Sequence, residues 1–366
     1  MRLAWLELLD VRNHTHTHLR EIPEGLTVVV GDNGEGKTNL LEGMYVLYAL
    51  GSPRAASNES LVRDGTEAAY ARGEFETLDG RKLVEVEIPR RGASRAKLNR
   101  SPIRRRRDLR RQVRIVMFGP FDLPVVIGDP SKRRAFMDEA AIALRPAHDT
   151  LPTAYDKVLR QRNRLLKEWP GPGAPAGLEA WDEQLVQSGV ALIRARRDAL
   201  RRVAPPASDE FGHLAGYGLH VNYAPNVEAA EESLEQVFRS RIAERRDDEL
   251  QRRTTLVGPH RDDLDLAVRD LRARTFGSHG ETWAAALCLR LGLATAVADE
   301  IGEPPLLLVD DPFSALDPRR RDEIAGRLSV GRGQVVITVA DAAHVPSSAD
   351  AVWDVRAGRV APREAA

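Results

Sequence analysis

Thr27-Val28-Val29-Val30-Gly31-Asp32-Asn33-Gly34-Glu35-Gly36-Lys37-Thr38-Asn39-Leu40-Leu41 decides the fold. A β-branched run ends at Gly31, a helical pattern opens after Gly36, and Gly-x-x-x-x-Gly-Lys-Thr stands between them. That is the phosphate-cradling loop of a strand–loop–helix nucleotide site. Gly31, Gly34 and Gly36 let backbone N–H groups turn inward around phosphate oxygens. The helix that starts at Lys37 aims its positive dipole end at the same anion. Lys37 is predicted to reach the β- and γ-phosphates and the Thr38 hydroxyl to ligate Mg²⁺, so ATP and Mg²⁺ are the expected cofactors.

Downstream, the buried run Leu306–Val309 ends in Asp310 and Asp311. This has the form of a Walker B strand: Asp310 would hold Mg²⁺ opposite Thr38, and Asp311 could take a proton from the attacking water. Ser314-Ala-Leu-Asp317 follows, spaced like the D-loop of ABC-type ATPases. Upstream, Ser278-His-Gly-Glu281 opens a long apolar helix and forms a second anion-binding terminus. A plain capping box reads the same four residues differently. One ATP does not need phosphate sites on two lobes; two molecules do, if Ser278 and Asp317 of each act in trans on the other's nucleotide.

The bulk composition sets limits. The 366 residues suffice for two domains or one large split one, and the net charge of +0 excludes a polycation. Any DNA contact must come from a local patch. Aromatic residues make up 5%, which disfavours base stacking on aromatic platforms. The single cysteine, Cys288, cannot form an internal disulfide and reads as a core helix position. No secretory h-region opens the chain and no apolar run approaches the roughly 18 residues of a membrane span, so a cytoplasmic protein without a membrane partner is expected.

Residues 1–30 alternate as antiparallel strands leading into the loop, with His14, His16 and His18 on one strand face. Without acidic or Cys partners between them, these read as solvated or ribose-facing rather than as a metal set. Residues 69–89 read as further strands. Arg104, Arg105, Arg106, Arg107, Arg110, Arg111 and Arg114 put seven arginines in eleven residues. The tract reads either as a DNA-backbone contact or as a solvated helix face. Ser131 is placed as the cap of a helix to Leu144. Residues 147–169 and 178–203 form a helical hairpin about 35 Å long per arm, ended by Pro205-Pro206. A strand (218–223), a helix (about 229–250), a turn and strand (255–268) and a short C-terminal tail complete the reading.

Taken together the chain closely resembles the RecF family of recombination proteins, ABC-type ATPases related to SMC heads. The resemblance runs over nearly the full length. It is carried by Leu9-Asp-Val-Arg12-Asn13-His14, by Gly31–Thr38 with Asn39-Leu-Leu-Glu42, and by Phe118-Gly-Pro120-Phe-Asp122-Leu123. It continues in Gly128-x-Pro130-x-x-Arg133-Arg134-x-Phe136-x-Asp138, in Gly258-Pro-His260-Arg261-Asp262-Asp263-Leu264, in Ser278–Glu281 and in Asp310–Asp317. It implies nucleotide binding by Gly31, Asp32, Asn33, Gly34, Glu35, Gly36, Lys37, Thr38 and Asn39 together with Arg12 and Asn13. It implies an α/β ABC-type head with an inserted, mainly helical second lobe and no long coiled coil. Lobe I is expected at residues 1–120 and 297–366, and lobe II at 121–296 with the signature helix. It further implies an ATP-dependent dimer at gapped DNA and single-strand/double-strand junctions, aiding RecA loading in DNA repair and replication with RecR and RecO. ATP hydrolysis is expected to be weak and DNA-stimulated, serving as a switch.

The ABC switch histidine is absent from Val336-Ile-Thr-Val-Ala-Asp341, where Thr338 or Asp341 can serve, and Asp122 stands for the missing Q-loop glutamine. Gly258–Leu264 reads either as a turn with local ion pairs or as a DNA- or dimer-related element. Two other classes compete on the first motif alone. A P-loop kinase has no use for Ser278–Glu281, and a transporter cassette has none for Gly258–Leu264.

Overall fold

The computed structural model describes residues 1–54, 57–169, 171, 173–313, 318–329 and 331–363. The elements in the first third are β1 (Arg2–Val11), β2 (His14–Leu19), β3 (Leu26–Val30), α1 (Lys37–Ala49), β4 (Ala68–Thr77), β5 (Gly80–Pro89), β6 (Arg95–Leu98), β7 (Ser101–Ile103), α2 (Arg106–Gln112) and β8 (Ile115–Phe118). Then come α3 (Leu123–Ile127), α4 (Pro130–Leu144), α5 (Leu151–Glu168), α6 (Leu178–Ala215), β9 (Leu219–Ala224), α7 (Leu234–Glu244), α8 (Arg246–Arg252), β10 (Asp263–Val268), β11 (Leu271–Arg272) and α9 (Ala273–Phe276). The last are α10 (His279–Ile301), β12 (Leu306–Val309), α11 (Pro318–Ser329), β13 (Val335–Val339), β14 (Ala351–Arg356) and β15 (Arg359–Pro362).

The chain divides into two compact units, one of residues 1–123, 206–218 and 277–366, the other of 124–205 and 219–276. The first unit holds two six-stranded sheets, β2-β1-β4-β5-β6-β7 and β15-β14-β3-β13-β12-β8. In the second sheet β14, β3, β13, β12 and β8 run parallel, and β15 pairs antiparallel at the edge. Its central strands are fully buried and apolar but for Thr27 and Thr338, because both faces are covered. β1 and β2 thus belong to the antiparallel sheet, whereas β3 opens the parallel one.

The stripe Leu40, Leu41, Met44 and Leu47 suggests a helix with one buried face, but α1 is buried nearly all round. It shares one core with strands of both sheets, including Leu6, Leu8, Ala71, Val86, Leu308 and Val336. A helix enclosed in this way does not show an amphipathic pattern. The division by compactness differs from the expected lobes, since α10 and residues 206–218 fall in the first unit. The contacts explain this. Trp283 packs edge-on against Phe118 with ring centroids 5.2 Å apart, Arg290 reaches Asp122 at 2.6 Å, and the Tyr217 hydroxyl donates to Glu281 at 2.7 Å.

The second unit packs Tyr155, Val186, Ile193, Phe238 and Ile242 into a core of its own beside the three-stranded sheet β11-β10-β9. Its helices depart from the sequence reading in three places. α6 does not stop at Pro205-Pro206 but runs 38 residues to Ala215. Val203, Ala207, Phe211 and Leu214 are all buried along it, and that stripe works against a cost of about 3 kcal/mol for each proline. α4 starts one residue earlier than expected, with Asp129 at the N-cap position, without a side-chain cap bond, and Pro130 in its first turn, so Ser131 lies inside the helix. The helix expected over about 229–250 is two helices broken at Arg245, which turns Glu249 inward to accept from Arg162.

At the C-terminal end, Ala357 and Gly358 have φ of 48° and 73° and make the two-residue hairpin that adds β15, where only a tail was expected. Among the described residues no long coiled coil is present, and no helix is long and apolar enough to cross a membrane.

Candidate nucleotide site

The loop between β3 and α1 is held by the turn between β1 and β2. Asn13 Nδ2 donates to the Glu35 carbonyl at 2.9 Å, and His14, fully buried, sets Nε2 3.0 Å from the Gly36 carbonyl. Gly36 has φ +114°, and a Cβ there would stand 2.6 Å from Asn13 Nδ2. A Cβ on Gly31 would stand 2.4 Å from the Val355 carbonyl oxygen. Both glycines are therefore demanded by close approach as well as by the cradle. Burial lowers the pKa of His14, whose Nδ1 lies 2.9 Å from Thr17 Oγ1, and the Thr17 hydroxyl donates to the Gly358 carbonyl at 3.2 Å. His16 and His18 are exposed, and His16 pairs with Glu7.

Lys37 Nζ donates to the carbonyls of Gly31 at 2.5 Å and Asp32 at 3.0 Å, within the loop itself. Burial pulls its ammonium below the usual lysine value, against the pull of Asp310, Asp311, Asp32 and Glu35. Thr38 Oγ1 lies 2.9 Å from both carboxylate oxygens of Asp310. Thr338 Oγ1 donates to Asp310 Oδ1 at 2.8 Å and accepts from the Asp311 N–H at 2.9 Å. Burial raises the pKa of Asp310, and hydrogen bonds from Thr338 and Thr38 oppose the rise.

Gly34, Lys37, Thr38, Asp310, Asp311 and Thr338 line one cavity. Its donor set suits Mg²⁺, which binds through one or two carboxylates and a nucleotide's phosphates rather than an all-protein cage. No cluster of three or more His, Cys, Asp or Glu side chains placed for a metal is found among the described residues.

A polar network flanks the loop. Arg12 grips the buried Glu42 with two bonds of 2.9 Å, Arg54 reaches Glu42 at 2.6 Å and Asn39 at 2.9 Å, and Asn39 donates to Asn13 at 2.8 Å. Burial works to raise the pKa of Glu42, but hydrogen bonds from Arg12, Arg54 and Ser52 outweigh it and hold the carboxyl low. Lys37, Thr38, Asn39, Asp310 and Asp311 thus line one cavity, and Arg12 and Asn13 stand behind it, bonded to Glu42 and to the Glu35 carbonyl. Arg54 also lines the cavity, although no motif marks it. Thr338 had a signal, being the one hydroxyl in the buried strand Val335–Val339.

Ser278 caps α10. Its Oγ accepts from the Glu281 N–H at 3.3 Å, its own N–H donates to Glu281, and the residue is solvent-exposed. The capping box is thus real, and the helix terminus it closes faces solvent. Asp317 and the rest of Ser314–Asp317 lie outside the described residues.

Asp122 does not stand free for a Q-loop role: its carboxylate accepts from Arg290 and from the Gly119 N–H. Asp341 is exposed and caps a short turn through the Ala343 N–H. In the basic tract, Arg104, Arg105, Arg106 and Arg111 are exposed, whereas Arg110 lies 5.4 Å from the Tyr48 ring and Arg114 is buried.

In the second unit, Gly258–Leu264 resolves as an ion-pair hub. Buried Asp262 accepts from Arg196 at 3.1 Å, from the Tyr223 hydroxyl and from the Asn226 N–H, while Asp263 takes Arg133 at 2.5 and 2.9 Å. Arg196 also binds Asp138 at 2.7 Å, so two motifs more than a hundred residues apart in sequence are joined by charge. Arg133 is accordingly buried.

The RecF/RecN/SMC N terminal domain model matches residues 2–360. The chain is 39% identical over 373 residues to the DNA replication and repair protein RecF of Cutibacterium acnes, covering 94% of each chain. Two solved structures of the recombination mediator protein RecF of the RecFOR pathway, RecF-ATPrS and RecF-ATP, match with a TM-score of 0.88 and 27% identity. They cover 99% of this chain and 98% and 97% of theirs. The Pyrococcus furiosus Smc head shares the fold, with a TM-score of 0.58 at 15% identity over 99% of this chain and 96% of that one.

Proposed function

The chain belongs to the RecF family, and we propose that it is an ATP-switched, DNA-binding recombination mediator. The observation that carries the reading is the meeting of Thr38 and Asp310, 272 residues apart in sequence, beside a glycine loop built for phosphate. In this reading the backbone of Gly31–Gly36 cradles the phosphates of ATP, and Lys37 exchanges its bonds to Gly31 and Asp32 for the β/γ-phosphates. Thr38 and Asp310 hold Mg²⁺, which when bound neutralises charge on the phosphate oxygens. Arg12, through Glu42, and Asn13, through Glu35, fix the loop from the side. Asp311 takes a proton from the attacking water.

Ser278, with Asp317, acts on the partner's nucleotide, since its helix terminus is open to solvent. ATP binding thereby closes a homodimer, and slow hydrolysis releases it. The dimer engages gapped DNA and single-strand/double-strand junctions, with Arg104–Arg107, Arg110 and Arg111 as the candidate phosphate contacts. It acts in the cytoplasm with RecR and RecO in aiding RecA loading during DNA repair and replication. The test is sizing the protein with and without ATP and gapped DNA, in the native form and as Lys37→Met. A monomer that becomes a dimer only with ATP, and a variant that stays monomeric, support the reading; a Lys37→Met protein that dimerises normally at saturating ATP overturns it.

A further inference from the structure

We propose that Thr338 is the positioning residue that ties Asp311 to Asp310 and thereby sets the geometry of water activation; this rests on the reading of Asp311 as the base. β13 is Val-Val-Ile-Thr-Val, fully buried, and Thr338 is its only polar side chain. A buried hydroxyl is costly unless bonded, and valine would fill the same space and suit the strand as well. The hydroxyl is bonded in one direction. Its proton goes to Asp310 Oδ1 at 2.8 Å, and its lone pair takes the Asp311 N–H at 2.9 Å. Thr338 thus connects the side chain of one acid to the backbone of the next.

That backbone needs a hold. Asp311 has φ +50°, the left-handed region that a side-chain-bearing residue seldom occupies, and the chain turns there on leaving β12. Which way the Asp311 carboxylate points depends on this turn. β13 lies between β12 and β3, with Thr338 level with Val29 just before the glycine loop, so the anchor is as rigid as the sheet centre. In the proposed step, water oxygen bonds to the γ-phosphorus as the bond from that phosphorus to the bridging oxygen breaks. ADP leaves with that electron pair, and Asp311 receives the proton of the water. A base must lie within hydrogen-bond reach of that proton, so a small rotation at residue 311 lowers the rate without touching phosphate binding.

The experiment compares Thr338→Val, Thr338→Ser, Asp311→Asn and the double variant Asp311→Asn/Thr338→Val. It reads kcat, affinity for a fluorescent ATP analogue, and lifetime of the ATP-bound dimer. Thr338→Val is expected to lose about tenfold or more in kcat, to keep its affinity within about threefold, and to hold the dimer longer. Thr338→Ser, which keeps the hydroxyl, is expected within about threefold of native, and the double variant no slower than Asp311→Asn alone. Native kcat in Thr338→Val overturns the proposal. So does an affinity loss as large as the rate loss, which would place the effect at Asp310, or a Thr338→Ser protein as slow as Thr338→Val. Near-native hydrolysis by Asp311→Asn fails the underlying assignment of the base, and the proposal with it. Should Thr338→Val not fold, Thr338→Ala replaces it with the same expectations.

Discussion

The Thr38 hydroxyl oxygen stands 2.9 Å from both carboxylate oxygens of Asp310, so the first turn of the glycine-loop helix and the end of β12 already converge on one point. Two hydroxyls, of Thr38 and Thr338, donate to that carboxylate, which is therefore held as an acceptor. Asp310→Asn keeps the size and loses the charge. It is expected to weaken binding of ATP in the presence of Mg²⁺ by about tenfold or more and to leave binding in EDTA nearly unchanged. Titration of a fluorescent ATP analogue under both conditions checks this, and equal loss in both would place Asp310 in folding rather than in metal binding.

Ser278→Arg should leave ATP binding by the monomer intact and abolish the ATP-dependent dimer. Ser278 also closes a capping box with Glu281, so a control is needed that removes the side chain without adding bulk. Ser278→Gly costs only a few tenths of a kcal/mol at an N-cap, so a weakened ATP-dependent dimer in this variant reports the lost hydroxyl and not the fold. If Ser278→Arg lost nucleotide affinity as a monomer, measured by titration at a concentration where no dimer forms, the residue would act in its own subunit.

Much of this site is legible in the sequence because its parts are local. The glycine spacing, the helix start at Lys37 and an apolar strand ending in Asp310-Asp311 each follow from neighbours a few residues away. Other features depend on what folds against them. His14 looks like part of an alternating histidine strand until the glycine loop packs on it. Arg54 reaches Glu42 only because the chain doubles back after the left-handed cap at Leu50. Pro205-Pro206 is a stop signal locally and is overridden by buried side chains on the next two turns. Asp262 and Asp263 read either as a turn with local ion pairs or as a DNA- or dimer-related element, and only the fold supplies the distant Arg196 and Arg133 that pair with them. Burial and long-range pairing decide these cases, and neither leaves a spacing to read.

The basic tract separates by exposure. Removing charge at Arg104, Arg105 and Arg106, which are exposed, should weaken DNA binding and flatten the plot of log affinity against log salt, by about 0.9 for each phosphate that is no longer neutralised. Arg110→Gln should in addition reduce thermal stability, by roughly 0.5–1 kcal/mol, because its guanidinium lies over Tyr48. Fluorescence anisotropy with a gapped duplex at several salt concentrations tests the first statement. An unchanged slope assigns the three arginines to a solvated face.

His260 gives the second unit a stability that depends on pH. Its Nδ1 accepts from the Tyr155 hydroxyl at 2.7 Å, and its Nε2–H donates to the Thr255 carbonyl at 3.1 Å, so both ring nitrogens are used by the neutral form. Burial pushes its pKa down to about 4; the Thr255 carbonyl opposes this, and the charges of Arg261, Arg134 and Arg162 add to it. In the unfolded chain the same group titrates near its ordinary value of about 6.5. The folded state therefore resists a proton that the unfolded state accepts. The stability is fully present above the unfolded pKa and is lost as pH falls from about 6.5 toward 4. Between pH 7 and pH 5 the loss is on the order of 2 kcal/mol. His260→Gln cannot take up the proton, so it should be less stable than native at pH 7 but lose less on going to pH 5. Urea unfolding of both proteins at the two pH values measures the difference directly. Parallel losses in native and variant would mean that another group carries the acid sensitivity.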